Sequence, residues 1–219
     1  MSKKIIVLNG SPRNEWNTAT LLSKAADGAR SEGAEAKLIH LYDLNFRGCV
    51  SCFYCKRKDK PHGTCAMQDD LTPVLEELKT ADGVILGSPI YLMSVTSGMF
   101  AFLERFVFSN GIYSMKVPTV FPKKIPSAFI YTMNITAEQL DEFGVRSTLE
   151  SYTEFLDRTL GMPADSLYAY NTYQFDDYSK YESSIFAEPV KAAYKAAHFP
   201  QDCEKAYQLG AKIARTDAS

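Results

Sequence analysis

Four cysteines crowd one short stretch of this 219-residue chain: Cys49-Val-Ser-Cys52-Phe-Tyr-Cys55, then Cys65 after nine further residues. The C-x2-C-x2-C spacing suits thiolates wrapped around a [4Fe–4S] cluster, and four thiolates also suit a tetrahedral zinc. Free or redox-active thiols are the third reading of the same residues. A second constellation is Asn9-Gly10-Ser11-Pro12-Arg13, followed by Asn17-Thr18. Ser11, Asn17 and Thr18 set hydroxyls and an amide beside a predicted helix N-terminus, where backbone N–H groups and the helix dipole attract anions. Arg13 adds a charge that can fork onto a phosphate. The plainer alternative is an ordinary turn in which Asn17 or Thr18 caps the helix. The third constellation, Pro89-Ile90-Tyr91-Leu92-Met93, offers apolar and aromatic side chains to a flat ring, or simply packs under a neighbouring segment. Neither G-x-G-x-x-G after a strand nor G-x-x-x-x-G-K-[ST] occurs. His40, His62 and His198 form no metal or catalytic motif.

Elements of alternating type must position these groups. Short apolar runs predict strands at residues 4–8, 36–41, 83–86, 127–133 and 166–171. Helical spacing or character marks residues 21–29, 71–79, 96–108, one or more helices within 138–160, and two late helices at 188–197 and 202–214. Asp69-Asp70 reads as the N-cap of the second helix. Strand–helix alternation over the whole length predicts an α/β fold, a doubly wound five-stranded parallel sheet with helices on both faces. In such folds ligands sit beyond the carboxyl ends of the strands, where the loops after the first and third strands lie. The expected organisation is one domain over residues 1–219, with an aromatic and helical extension from about residue 168. With 46% hydrophobic and 23% charged residues the chain is no disordered segment, and a net charge of −2 argues against nucleic-acid binding through a whole-protein positive field. The start has too short an apolar run for a signal peptide, so a cytoplasmic protein without membrane contact is expected.

The paired loops carry a resemblance. Gly10-Ser11-Pro12-Arg13 with Asn17-Thr18, and Ser88-Pro89-Ile90-Tyr91 followed by Met99-x-Ala101-Phe102-Leu103-Glu104-Arg105, resemble the signatures of the flavodoxin-like NAD(P)H-dependent FMN reductase family, especially its iron–sulfur flavoprotein branch. The resemblance spans about residues 3–160. It implies that Ser11, Arg13, Asn17 and Thr18 hold the FMN phosphate and that Pro89, Ile90, Tyr91, Leu92 and Met93 meet the isoalloxazine ring. The implied function is an FMN-dependent oxidoreductase taking hydride from NAD(P)H and passing electrons to a small acceptor. No side chain is assigned as general acid or base. The alternative is an electron carrier with FMN and a [4Fe–4S] cluster on Cys49, Cys52, Cys55 and Cys65, exchanging electrons with a ferredoxin-like partner. FMN-only relatives keep several of these cysteines, followed as here by the Cys65-to-Asp70 pattern, so the resemblance ranks free thiols above a cluster and zinc last. The first loop offers one phosphate site and no pyrophosphate turn, so FMN rather than FAD is expected. The apolar run at 99–108 leads us to expect a homo-oligomer, and the tyrosine-rich stretch at 168–181 reads as a packed extension or subunit contact ahead of a lid.

Overall fold

The computed structural model describes residues 2–217. Apolar runs become strands β1 (Lys4–Asn9), β2 (Glu35–His40), β3 (Gly83–Tyr91), a two-residue β4 (Ser94–Val95), β5 (Ser127–Thr132) and β6 (Ala164–Ala169). Their order is β2-β1-β3-β5-β6, every pair in that path is parallel, and β4 folds back antiparallel on β3. This is the flavodoxin-like order, five parallel strands as expected, with a small hairpin added. Both faces are covered. Ile6, Leu8, Leu86 and Phe129 enter one core, and Ile5, Val7, Ile85 and Ile130 enter the other.

The helices are α1 (Asn17–Ser31), α2 (Leu71–Leu78), α3 (Ser97–Asn110), α4 (Ala137–Glu142), α5 (Val145–Leu160) and α6 (Glu188–Arg215). Side chains of α2, α3 and α5 complete the first core, and those of α1 and α6 the second. Where α1 crosses α6 the backbones touch: a Cβ on Gly28 would stand 1.9 Å from Tyr207 O, and one on Gly210 would stand 1.8 Å from Ala25 O. Only glycine allows that approach.

Three expectations are corrected. The two late helices are one, α6, which runs through Pro200. Proline removes the N–H that would meet the Ala196 carbonyl one turn back, and the helix continues past it. Asp70 does not cap α2 through its side chain; Asp69 does more there, accepting the Leu71 N–H at 3.2 Å. Neither Asn17 nor Thr18 caps α1, whose N-cap position is Trp16 with no side-chain bond. Thr96 caps α3 as its position suggests, accepting the Met99 N–H at 3.3 Å. In the 99–108 run, Met99, Phe102, Leu103 and Phe106 lie in the chain's own core, which removes two of the run's four aromatic rings from the surface that motivated an oligomer. Among the described residues no helix is long and apolar enough to cross a membrane.

Candidate functional site

The chain leaves β1 through a turn built from its own side chains. Asn9 Oδ1 accepts the Ser11 N–H at 2.9 Å, and Ser11 Oγ accepts the Arg13 N–H at 3.1 Å. Thr96 Oγ1 donates to Gly10 O at 2.6 Å, tying this turn to the start of α3. Thr18 Oγ1 lies 2.7 Å from Thr132 Oγ1, both buried, so the first turn of α1 is fastened to the carboxyl end of β5. The result is a cleft of about 190 Å³ at the carboxyl edge of the sheet. It gathers Ser11, Arg13, Asn17, Thr18, Pro89, Ile90 and Tyr91 along its walls. Leu92 and Met93 are not among them. They form the turn of the β3–β4 hairpin, both with positive φ (48° and 65°), and the Leu92 side chain is 100% exposed.

The opposite wall went unrecognised in the sequence, where only its richness in tyrosine stood out. Residues Thr172, Tyr173 and Gln174, after β6, face the phosphate-type loop together with Thr132, Met133 and Asn134. Trp16 Nε1 and Asn17 Nδ2 donate to Tyr173 O at 3.1 and 2.7 Å, and Arg13 Nη1 donates to Gln174 O at 2.6 Å. Asn134 Nδ2 donates to Gln174 Oε1 at 2.7 Å. Of the 168–181 stretch, read as a packed extension or subunit contact ahead of a lid, Thr172, Tyr173 and Gln174 line the cleft. Asn134 Oδ1 is buried with no donor among the described residues. A guanidinium, a helix N-terminus, hydroxyls and a waiting acceptor at one end, with Ile90 and Tyr91 at the other, fit a ligand that carries phosphate, hydroxyls and a flat ring. FMN has that chemistry.

The cysteine segment is moored to α3. Glu104 Oε2 accepts the Cys49 N–H at 3.1 Å. Arg105, 1% exposed, donates to Asp69 Oδ2 at 2.5 Å, to Arg47 O at 3.3 Å and to Met67 O at 3.4 Å. One buried guanidinium thus holds both ends of the segment. Burial pushes it toward losing its proton, but the Asp69 carboxylate and the neighbouring Cys65 outweigh that and keep it charged. Inside the segment Ser51 and Phe53 take positive φ and Tyr54–Lys56 form a short helical turn. Cys55 is buried, its thiol 3.9 Å from Phe108 O, while Cys49 and Cys65 are half-buried and Cys52 is exposed. Burial raises the Cys55 pKa, and the adjacent Lys56 ammonium only partly offsets it. Among the described residues no three His, Cys, Asp or Glu side chains converge as a metal-binding group. The donor chemistry suits a cluster, and the Cys49 and Cys65 thiols are near enough to Cys55 to help raise its pKa.

The sequence can be set beside known proteins. It is 37% identical over 102 residues to an iron-sulfur flavoprotein of Methanocaldococcus jannaschii, covering 47% of this chain and 51% of that protein. It is 35% identical over 102 residues to an iron-sulfur flavoprotein of Archaeoglobus fulgidus, covering 47% and 48% respectively. The chain thus spans about half the length of the curated relatives it matches. In fold it resembles an NAD(P)H:quinone oxidoreductase from Methanothermobacter marburgensis, with a TM-score of 0.71 over 99% of both chains at 15% identity. The NADPH-dependent FMN reductase family matches residues 3–125, which include both loops of the cleft and the whole cysteine segment, and the chain belongs to that family.

Proposed function

We propose that the chain is an FMN-dependent oxidoreductase that takes hydride from NADH or NADPH and passes the electrons to a small acceptor. The carrying observation is the cleft, where a phosphate-type loop and an apolar wall meet at the carboxyl edge of one sheet. A bound flavin supplies the hydride chemistry; the chain binds, orients and shields it. Arg13 and the first turn of α1 hold the phosphate. Ser11 and Thr18 shape that end, and Asn134 Oδ1 takes a hydroxyl of the ligand's polyol chain. Pro89, Ile90 and Tyr91 border the ring. The side chains lining the cleft are amides, hydroxyls, apolar groups and one guanidinium, so none is assigned as general acid or base. The test is anaerobic mixing of flavin-loaded protein with NADPH or NADH. The flavin's visible absorbance should bleach within a turnover and return on adding a quinone. No bleaching with either nucleotide would overturn the proposal.

A second reading is an electron carrier with FMN and a [4Fe–4S] cluster, exchanging electrons with a ferredoxin-like protein. The C-x2-C-x2-C spacing and the names of the relatives favour it, and Cys49 and Cys65 stand close enough to Cys55 to raise its pKa. We expect anaerobically purified protein to contain well under four irons per FMN and a Cys52→Ser variant to keep its flavin. Four irons and four sulfides per chain, lost in that variant, would promote the carrier. For assembly we propose a homo-oligomer. Its remaining support is an apolar groove of about 390 Å³ between α3, α5 and the cysteine segment, with Phe100 and Phe155 exposed along it. Light scattering at micromolar concentration that returns the mass of one chain would refute it.

A further inference from the structure

Lys191 lies in the first turn of α6, beyond the part of the chain that matches the family, and is only 4% exposed. Its Nζ donates to Asn171 Oδ1 at 2.5 Å and to Asn134 O at 3.3 Å, with the Phe186 ring centroid 5.5 Å away. Both acceptors are neutral. Among the described residues no carboxylate lies within ion-pair distance of it. A buried ammonium without a counter-charge is costly, and proteins usually pair it. The acceptors show where a counter-charge would lie. Asn134 lines the cleft, its amide donates to Gln174, and the Gln174 carbonyl in turn takes Arg13. Asn171 precedes the Thr172–Gln174 wall, and the Asn171 N–H is fixed on Ile135 O at 2.9 Å. Lys191 therefore stands one residue behind the wall that faces the phosphate-type loop.

We infer that Lys191 is a specificity-determining cation for the ligand's phosphate, acting from behind the wall as Arg13 acts from the front, so that the cleft prefers FMN to riboflavin. The inference rests on the FMN reading of the cleft. Lys191 needs no direct contact: a charge about 10 Å from a phosphate, at an effective dielectric near 20, is worth roughly tenfold in affinity. Burial lowers the Lys191 ammonium to a pKa of about 8, within reach of a titration. The titratable groups on the elements packed against it are Glu188, Tyr194, Lys195 and the buried Asp202 on α6, and Tyr170, Tyr173, Asp176, Asp177 and Tyr178 after β6; Tyr170, Tyr173, Tyr194, Lys195 and Asp202 line one pocket with Asn171. Glu188 is engaged with the Tyr173 hydroxyl at 3.3 Å, and Asp177 with Ser179 and Lys180.

The test is equilibrium titration of the whole chain, stripped of flavin, with FMN and separately with riboflavin, at pH 7 and pH 9.5. Lys191→Met should lower FMN affinity about tenfold at pH 7 and leave riboflavin affinity unchanged. In the unaltered protein the FMN-to-riboflavin preference should fall toward the variant's value by pH 9.5, since a phosphate with pKa about 6 stays fully ionised over that range. The variant's preference should stay flat. Equal weakening of both flavins would mean a merely structural lysine and overturn the inference, as would an unchanged preference. If Lys191→Met does not fold, the pH series on the unaltered protein decides alone, and a flat preference refutes. A protein that binds neither flavin at pH 7 would overturn the FMN reading and the inference with it.

Discussion

Arg105→Met removes the guanidinium that holds both ends of the cysteine segment, while methionine keeps much of the arginine stem's volume. Three acceptors lose a donor: the Asp69 carboxylate, Arg47 O and Met67 O. Breaking a buried ion pair by deleting one partner costs about 3–5 kcal/mol. Two features of the site bring the expectation toward the lower figure. Arg105 Nε already lacks a partner, so its removal recovers some desolvation, and the Asp69 side chain is 18% exposed, so water can reach it. We expect a loss of about 3 kcal/mol, which in a domain of this size lowers the melting midpoint by roughly 6–12 °C. Urea unfolding followed by circular dichroism measures it, with limited proteolysis of the 48–66 segment as a local readout. Adding Asp69→Asn removes the stranded carboxylate charge, so the double variant should lose at least 1 kcal/mol less than the sum of the singles. A loss under 1 kcal/mol, or strict additivity, would refute the idea that one buried pair moors the segment.

Other expectations follow from single contacts. Arg13→Ala should weaken FMN binding roughly tenfold or more, since a hydrogen bond to a charged group contributes about 1.5–3 kcal/mol; an unchanged dissociation constant would place the phosphate elsewhere. Replacing Leu92 with Asn and Met93 with Gly fits side chains to a two-residue turn with both φ positive, and should raise stability by about 1–2 kcal/mol in urea unfolding; a loss would mean the turn is unstrained. Gly210→Ala drives a Cβ into Ala25 O and should destabilise by 3 kcal/mol or more on the order of the harshest overpacking, whereas a neutral result would mean α1 and α6 sit further apart. Lys191 also makes apoprotein stability depend on pH. Its folded pKa of about 8 lies below its unfolded value, so the unfolded chain binds more protons between them. Relative to Lys191→Met, stability should rise by up to about 3 kcal/mol from pH 8 to pH 10.5. A flat difference across that window would show that folding does not make Lys191 lose its proton more easily.

The strands were legible because a sheet covered on both faces demands unbroken apolar runs, and residues such as Ile5–Leu8 and Val84–Leu86 satisfy it. The phosphate-type loop was legible because Ser11, Arg13, Asn17 and Thr18 advertise anion chemistry locally. Asn17 and Thr18 do not cap α1, because their polar groups reach across the cleft to Tyr173 O and Thr132, partners 156 and 114 residues away. No local pattern signals such pairings. Pro200 looked like a helix boundary by its intrinsic preference, yet packing of α6 along α1 overrides it. Arg105 stood in the sequence only as the end of the Met99–Arg105 signature, and its burial depends on Asp69, a partner 36 residues away that no local pattern indicates. Lys191 gave no signal at all, since what matters is the absence of a carboxylate around it in space.

The central claim is that the cleft between the β1–α1 loop, the end of β3 and the Thr172–Gln174 wall holds FMN. Mass analysis of the cofactor released from protein purified with its native ligand tests it most directly. FMN near one per chain is expected, with a measurably lower FMN content in the Arg13→Ala protein. Recovery of FAD, or FMN retained in full by Arg13→Ala, would contradict it.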